Sequence, residues 1–270
     1  MTNHLILFDF DETYFKHNSS RHDITDMREM ENLLSKISAN QDVIIAILTG
    51  SSFNDVLKKM NSIGMLYKPN YIFSDLSSKM HAWTGLKYEE IDAYRENSQQ
   101  ESFTKKDIDR ILIKISNKYN VNFVPQRRFN EVETFYNFYF YSLGNLEKDR
   151  GILLDLIAYA HSLNYKASYN ICNPLAGDPP NAYDINFIPQ KAGKLYATQF
   201  LMNKYSLPKD SVLGFGDSGN DEEFLSYLKH SFVMANSSDK ELKSKFNITK
   251  QPYYKGISTH VTEFMEGKYN

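Results

Sequence analysis

Residues 5–15 read LILFDFDETYF. The first half is an uninterrupted apolar run, as expected of a parallel β-strand covered on both faces. The second half sets two aspartates, Asp9 and Asp11, one residue apart at the end of that run. An ionised carboxylate drawn into such surroundings is costly unless a cation compensates it. A cationic group is therefore expected at the end of this strand.

The chain alternates outward from that point. Ile24, Met27, Met30, Leu33, Leu34 and Ile37 follow a 3.6-residue period and predict a helix over about 24–37. VIIAIL at Val43–Leu48 predicts a second strand, residues 53–63 a helix, and YIF at 71–73 a third strand. This βαβαβ order implies right-handed crossovers and an α/β fold with a doubly wound, Rossmann-like parallel sheet. Past Ser74 the texture changes through a polar stretch, KYEEIDAYRENSQQES. Helices over 105–118 and 146–163 then mix with strands near 121–124, 135–141, 166–171 and 183–188. Such hairpin-like pairing predicts an inserted α+β module. The βα texture resumes with a helix over 193–205, a strand at 212–215, a helix at 221–228 and a strand at 231–234. The expected division is a core of residues 1–82 and 189–270 and an inserted cap domain of residues 83–188.

Composition narrows the function classes. With 270 residues, 41% apolar and 24% charged, the chain has ordinary globular composition, and its net charge of -2 gives no general attraction to nucleic acid or anionic membranes. Neither partner is expected. The single cysteine, Cys172, cannot form an internal disulfide, and the first apolar run is cut short by Asp9, unlike a secretory leader. No apolar segment approaches the roughly 20 residues that span a bilayer. A cytoplasmic location is expected. The 37 tyrosines and phenylalanines (19 and 18) lack a matching basic excess and read as packing, not as a base-stacking surface.

The unusual polar residues fall where βα units turn over. Asp9 and Asp11 follow the first strand, Thr49 follows the second in AILTGSS, and Asp217, Asn220 and Asp221 follow a later one in GFGDSGND. In an open parallel sheet the carboxyl ends of the strands line one edge, where ligands bind. These groups should converge, with Asp9 and Asp11 on one side if the extended backbone persists. Three convergent aspartates form an all-oxygen site suited to Mg2+. Gly214, Gly216 and Gly219 read as positions of tight turn and close backbone approach to an anion. The plainer alternatives are a turn-capping role for the aspartates and a helix N-cap role for Thr49. Cys172 reads as a small buried apolar residue, and the seven histidines lack metal-ligand spacing.

Four segments together, DFDET at 9–13, LTGSS at 48–52, the helix-opening lysine in PQKAGKLYA and GDSGND at 216–221, resemble the haloacid dehalogenase superfamily of aspartyl phosphotransferases. That resemblance implies a nucleophilic Asp9, with Asp11 as general acid and then base. It implies that Thr49 and Lys194 hold phosphate oxygens. Asp9, the Asp11 backbone carbonyl and Asp217 would hold Mg2+, with Gly50, Asn220 and Asp221 supporting the phosphate or the ion. Lys194 is preferred to Lys191 because, in the capped sugar phosphatases of the superfamily, the lysine follows a strand-ending proline by five residues, here Pro189.

The insertion between the second and third motifs resembles the large cap of the sucrose-phosphate phosphatase branch, which implies a small sugar-phosphate substrate. FDFDETYF, TGSS, SDL, CNPLAGDP and YDINFIP are most similar to the kanosamine-6-phosphate phosphatase group of that branch, whose members act in antibiotic synthesis. The implied substrate is kanosamine 6-phosphate (3-amino-3-deoxyglucose 6-phosphate) or a related hexose 6-phosphate. LTGSS lacks the arginine that sucrose phosphatases carry after the glycine, which disfavours a sucrose ester. Ser51, Asn173 and Asp178 are the candidate sugar contacts, although prolines and Gly177 could make the loop of the latter two a mere hinge. The competing functions are a phosphosugar mutase using the same aspartyl phosphate and a non-catalytic receiver-like signalling module.

Overall fold

The computed structural model describes residues 3–39, 42–98, 103–126, 134–172, 174 and 177–269. The chain divides into two compact units, Met1–Asp92 with Lys194–Asn270, and Ala93–Gly193.

The first unit starts with β1 (His4–Asp9), α1 (Arg21–Ser38), β2 (Val43–Leu48), α2 (Phe53–Ser62) and β3 (Tyr71–Ser74). β1 and β2 are buried almost throughout, as their continuous apolar runs require. α1 begins ahead of its apolar period because Ser20 and Asp23 form a reciprocal capping box. Its Glu31 is buried, and the carboxylate accepts the Leu66 and Tyr67 amides (2.7 and 2.8 Å) and pairs with Arg28. A helix-face acid thus ties down the chain entering β3.

The polar stretch after Ser74 contributes two strands that the sequence pattern did not reveal. β4 (Lys79–Trp83) and β5 (Tyr88–Glu90) extend the sheet antiparallel from β3. Both are short, and β5 is the edge of the sheet, where one side needs no apolar run. The first unit consequently reaches Asp92 before the second begins.

The second unit holds α3 (Asp92–Ser98) for all but its first residue, then α4 (Lys105–Tyr119), β6 (Val124–Pro125), β7 (Tyr136–Tyr141), α5 (Leu146–Ser162), β8 (Lys166–Ile171) and β9 (Ala182–Ile188). The strands form an antiparallel sheet in the order β6-β7-β9-β8. The expected strand at 121–124 is only the two residues of β6. Phe138, Phe140, Ile185 and Phe187 share a core with Ile108, Ile111, Ile152 and Leu156 of the two long helices. The alternate residues of β7 and β9, Asn137, Tyr139, Asp184 and Asn186, make the other sheet face polar.

The first unit resumes with α6 (Lys194–Tyr205), β10 (Val212–Gly216), α7 (Glu222–Tyr227), β11 (His230–Val233), α8 (Lys240–Lys245), β12 (Asn247–Ile248) and α9 (Tyr253–Met265). The completed sheet runs β12-β11-β10-β1-β2-β3-β4-β5, parallel from β12 to β3. The fold is α/β with a mostly parallel, Rossmann-like sheet. α9, absent from the sequence reading, buries Tyr254, Ile257, Val261 and Phe264 in the core with Ile6 and Phe8 of β1. Among the described residues, no helix is long and apolar enough to cross a membrane. β1 has β2 on one side and β10 on the other, so successive strands depart in opposite directions from the β1–β10 junction. Such a switch point opens a crevice at the strands' carboxyl ends.

Candidate active site

Asp9 closes β1 and Asp217 follows β10, on the two sides of that crevice. Gly193, with φ of +91°, turns the chain into α6, whose first residue is Lys194. Lys194 is only 6% exposed, and its Nζ donates to Asp9 Oδ1 at 2.6 Å, Asp221 Oδ1 at 2.5 Å and Asn220 Oδ1 at 3.0 Å. This ammonium is the cation that Asp9, at the end of the first strand, requires. Lys191, the alternative, is exposed.

Asp9, Asp217 and Asp221 each offer a carboxylate oxygen within 4.8 Å of the others. Asp221 is fully buried and heavily engaged: one oxygen takes Lys194, and the other accepts the amides of Asp217 and Ser218 at 2.9 and 3.0 Å. It fixes the lysine and the loop together. Asp217 accepts the Thr13 hydroxyl at 3.3 Å. Burial pushes the Asp9 carboxyl up to about 7, against the pull of Lys194. Burial, followed by neighbouring Asp9 and Asp221, raises Asp217 well above the carboxylate range. Burial disfavours the charged form of Lys194 as well, but Asp221 and Asp9 outweigh it and keep the amine protonated.

Three carboxylates beside one ammonium can all ionise only if further positive charge is supplied. A hard divalent cation with oxygen ligands fits that donor set, and Asp9 and Asp217 have the freer oxygens for it.

Two glycines of GFGDSGND, Gly214 and Gly216, serve packing. Gly214 and Gly216 lie within β10 without positive φ. A Cβ at Gly216 would stand 2.4 Å from Asp221 Cγ, and one at Gly214 would stand 2.5 Å from Leu228 Cδ1. The anion approached at Gly216 is thus the chain's own Asp221. Gly219 sits in the short 3-10 turn Gly219–Asp221.

Asp11 takes a different direction from Asp9, because β1 ends at Asp9 and a turn follows, with Glu12 at φ of 60°. Its Oδ1 receives Lys59 Nζ at 2.5 Å and its Oδ2 the Ser51 hydroxyl at 2.8 Å. His17 Nε2 stands 3.5 Å from Oδ1, while His17 Nδ1 is 2.6 Å from Glu12, whose other oxygen accepts the Tyr253 hydroxyl at 2.6 Å.

Thr49 is buried, and its hydroxyl accepts the Ser51 amide at 3.0 Å. The cap of α2 is Ser52, so the N-cap alternative for Thr49 does not hold. Three successive left-handed residues, Asp75, Leu76 and Ser77, brace this loop. The Asp75 amide donates to Ser51 O and the Ser77 amide to Thr49 O. Non-glycine residues in that conformation are strained, and such strain gathers at sites needing fixed geometry. A Cβ at Gly50, between them, would press on Leu76 Cδ2 at 3.1 Å.

The sequence reading missed Lys59, His17 and Thr13. Lys59 lies two helical turns beyond the cap Ser52, on the same stripe, and helical side chains lean back toward the N-terminus. That register was the available signal. Among the candidate sugar contacts, Ser51 is occupied with Asp11, and Asp178 accepts the Tyr139 hydroxyl at 3.1 Å within the second unit. Asn173 lies outside the described residues. Cys172 is buried, and burial pushes its thiol further up, as suits an inert packing residue.

Residues 6–260 match the haloacid dehalogenase-like hydrolase family, and the chain belongs to it. It is an enzyme, a hydrolase of that family. An uncharacterized hydrolase of Staphylococcus aureus (strain MRSA252) is 56% identical over 270 residues, all of both chains. The kanosamine-6-phosphate phosphatase of Bacillus subtilis (strain 168) is 31% identical over 256 residues, covering 94% of this chain and 90% of that one. A haloacid dehalogenase-like hydrolase structure from Bacillus subtilis aligns at TM-score 0.71 and 28% identity, over 98% of this chain and 92% of that one. The sucrose-phosphatase of Synechocystis aligns at TM-score 0.72 over 98% and 99%, and at 16% identity it shares the fold.

Proposed function

We propose that the chain is a Mg2+-dependent phosphatase of a small sugar phosphate, acting through a phosphoaspartyl intermediate on Asp9. The observation that carries this reading is the Lys194 ammonium held between Asp9 and Asp221 at the switch point, with Asp217 beside them. A carboxylate approaching a phosphate monoester meets like-charge repulsion, so the phosphate oxygens must first be neutralised. Lys194 supplies one positive charge for this, and the Thr49 hydroxyl supplies a hydrogen bond. Asp9, Asp217 and the Asp11 backbone carbonyl are assigned to hold Mg2+, which when bound supplies further charge neutralisation.

In the first step an Asp9 oxygen forms a bond to phosphorus as the bond to the sugar oxygen breaks, and Asp11 gives that oxygen its proton. In the second step Asp11 takes a proton from the water that attacks phosphorus, freeing Asp9 and inorganic phosphate. Asp221 and Asn220 keep Lys194 in place throughout.

The substrate is assigned as kanosamine 6-phosphate or a related hexose 6-phosphate, supported by the 31%-identical relative of that name. The second unit is assigned the recognition of the sugar, with Asp178 as an acidic partner for a hydroxyl or ammonium. The test is phosphate release from a panel of hexose and aminohexose 6-phosphates with Mg2+, using the native chain and Asp9→Asn. Release without a bisphosphate activator, abolished by Asp9→Asn, supports hydrolysis over a mutase. Undiminished release by Asp9→Asn overturns the nucleophile. Asp178→Ala is expected to penalise 3-amino-3-deoxyglucose 6-phosphate more than glucose 6-phosphate, and equal losses count against amine recognition.

A further inference from the structure

Asp11, Ser51 and Lys59 form a closed triangle drawn from three separate segments: the turn after β1, the loop after β2, and α2. Lys59 Nζ is 2.5 Å from Asp11 Oδ1, Ser51 Oγ is 2.8 Å from Asp11 Oδ2, and Lys59 Nζ is 3.4 Å from Ser51 Oγ. The triangle is only partly shielded, with the Asp11 and Lys59 side chains 29% and 26% exposed. A stabilising surface ion pair at such exposure contributes little. A carboxylate pinned at both oxygens, however, has its plane fixed; Oδ1 also faces His17 Nε2 at 3.5 Å, and the second lone-pair direction on Oδ2 is the one left to carry a proton.

We propose that Lys59 is a positioning residue for Asp11: it fixes the carboxyl so that its O–H points at the oxygen of the departing alcohol. Ser51 is its partner in this, not a sugar contact. The inference rests on the reading of Asp11 as the proton donor. In the step it serves, the Asp9–phosphorus bond forms, the phosphorus–oxygen bond to the alcohol breaks, and the Asp11 proton passes to the departing oxygen. Proton transfer by a positioned side chain is worth about 10²–10⁴-fold. Misplacement by about 1 Å can cost on the order of 10²-fold. An alkyl ester, whose leaving alkoxide needs the proton, therefore depends on the triangle, whereas an aryl ester with a stable phenolate does not.

The experiment compares kcat/KM, which reports the first chemical step, for glucose 6-phosphate and p-nitrophenyl phosphate. Lys59→Met is expected to lower kcat/KM for glucose 6-phosphate by about 10–100-fold and for p-nitrophenyl phosphate by less than about threefold. Ser51→Ala, a smaller change, is expected to show the same split at lower amplitude, and Lys59→Arg to restore part of the loss. In an Asp11→Asn background, Lys59→Met should remove nothing further, since residues acting as a unit are not additive. Equal losses on both esters, or none on either, overturn the role of Lys59 while leaving Asp11 in place. Absence of the split in Asp11→Asn itself overturns the donor assignment, and this proposal with it. Should Lys59→Met fail to fold, Ser51→Ala and Lys59→Arg decide by the same split.

Discussion

Lys194 Nζ lies 2.6 Å from Asp9 Oδ1, joining residues 185 apart in the sequence, and the same ammonium reaches Asp221 Oδ1 at 2.5 Å. All three side chains are nearly or fully buried. Removing one member of a buried ionic cluster leaves uncompensated charge, at about 3–5 kcal/mol. Lys194→Met is therefore expected to unfold at lower denaturant concentration and to lose on the order of 10²–10³-fold in kcat. Exposed Lys191→Met should leave both within about twofold. Chemical denaturation and steady-state phosphate release check the pair. A Lys191 variant as impaired as the Lys194 variant would reverse the assignment.

A divalent cation should stabilise this protein through Asp217. The carboxylates at the switch point outnumber the ammonium, and burial together with Asp9 already holds Asp217 far above the usual carboxylate range. Mg2+ bound to the folded form alone stabilises by about 2.7 kcal/mol at a hundred times its Kd. Native chain titrated with MgCl2 is expected to show a rising Tm. Asp217→Asn removes one ligand charge and should abolish most of the rise. An undiminished rise in that variant would place the ion elsewhere.

Two glycines of β10 should separate packing from chemistry. A methyl group at position 216 would overlap the Asp221 carboxylate, the group that holds Lys194 and the amides of Asp217 and Ser218. At position 214 it would meet Leu228 and Phe224, away from those carboxylates. Both alanine variants are expected to lose about 1–3 kcal/mol from overpacking. Gly216→Ala should in addition lower kcat more than tenfold, and Gly214→Ala should not. Tm together with kcat, measured for both, makes the comparison.

Much of this site is legible in the chain because it sits at strand ends. The apolar runs of β1, β2 and β10 fix where strands stop, and Asp9, Thr49 and Asp217 each come immediately after or at such a stop. Their neighbourhood follows from the topology of a parallel sheet. Lys59 and His17 were hidden for the opposite reason. Each reaches Asp11 from a position where a solvated charged or polar residue would look the same in sequence. β4, β5 and α9 were missed because KMHAW and YEE are short and carry no apolar run and because α9 mixes Lys255, Ser258 and Thr262 with its buried face. The strain at Asp75, Leu76 and Ser77 has no sequence mark, since none of them is glycine.

Asp184, on the polar face of the second unit's sheet, should give the protein a pH-dependent stability. Burial pushes its carboxyl up to about 7, with Asp178 adding to the rise and hydrogen bonds from Gln126 and Asn186 opposing it. Among the described residues, Tyr139 and Cys172 also interact with Asp184, and both remain neutral because burial raises them well above physiological pH. In the unfolded chain Asp184 loses its proton near the ordinary value of 3.8, whereas the folded chain keeps it until about 7. Between those values the folded state binds the extra proton, so this residue's contribution to stability falls as pH rises. Asp184→Asn keeps the shape and removes the charge. The variant is expected to gain about 3 kcal/mol at pH 8, or roughly 6–12 °C in Tm, relative to its difference from the native chain at pH 4.5. Tm measured across that range checks the sign. A native profile that runs parallel to the variant's would show that Asp184 is ionised in the folded chain.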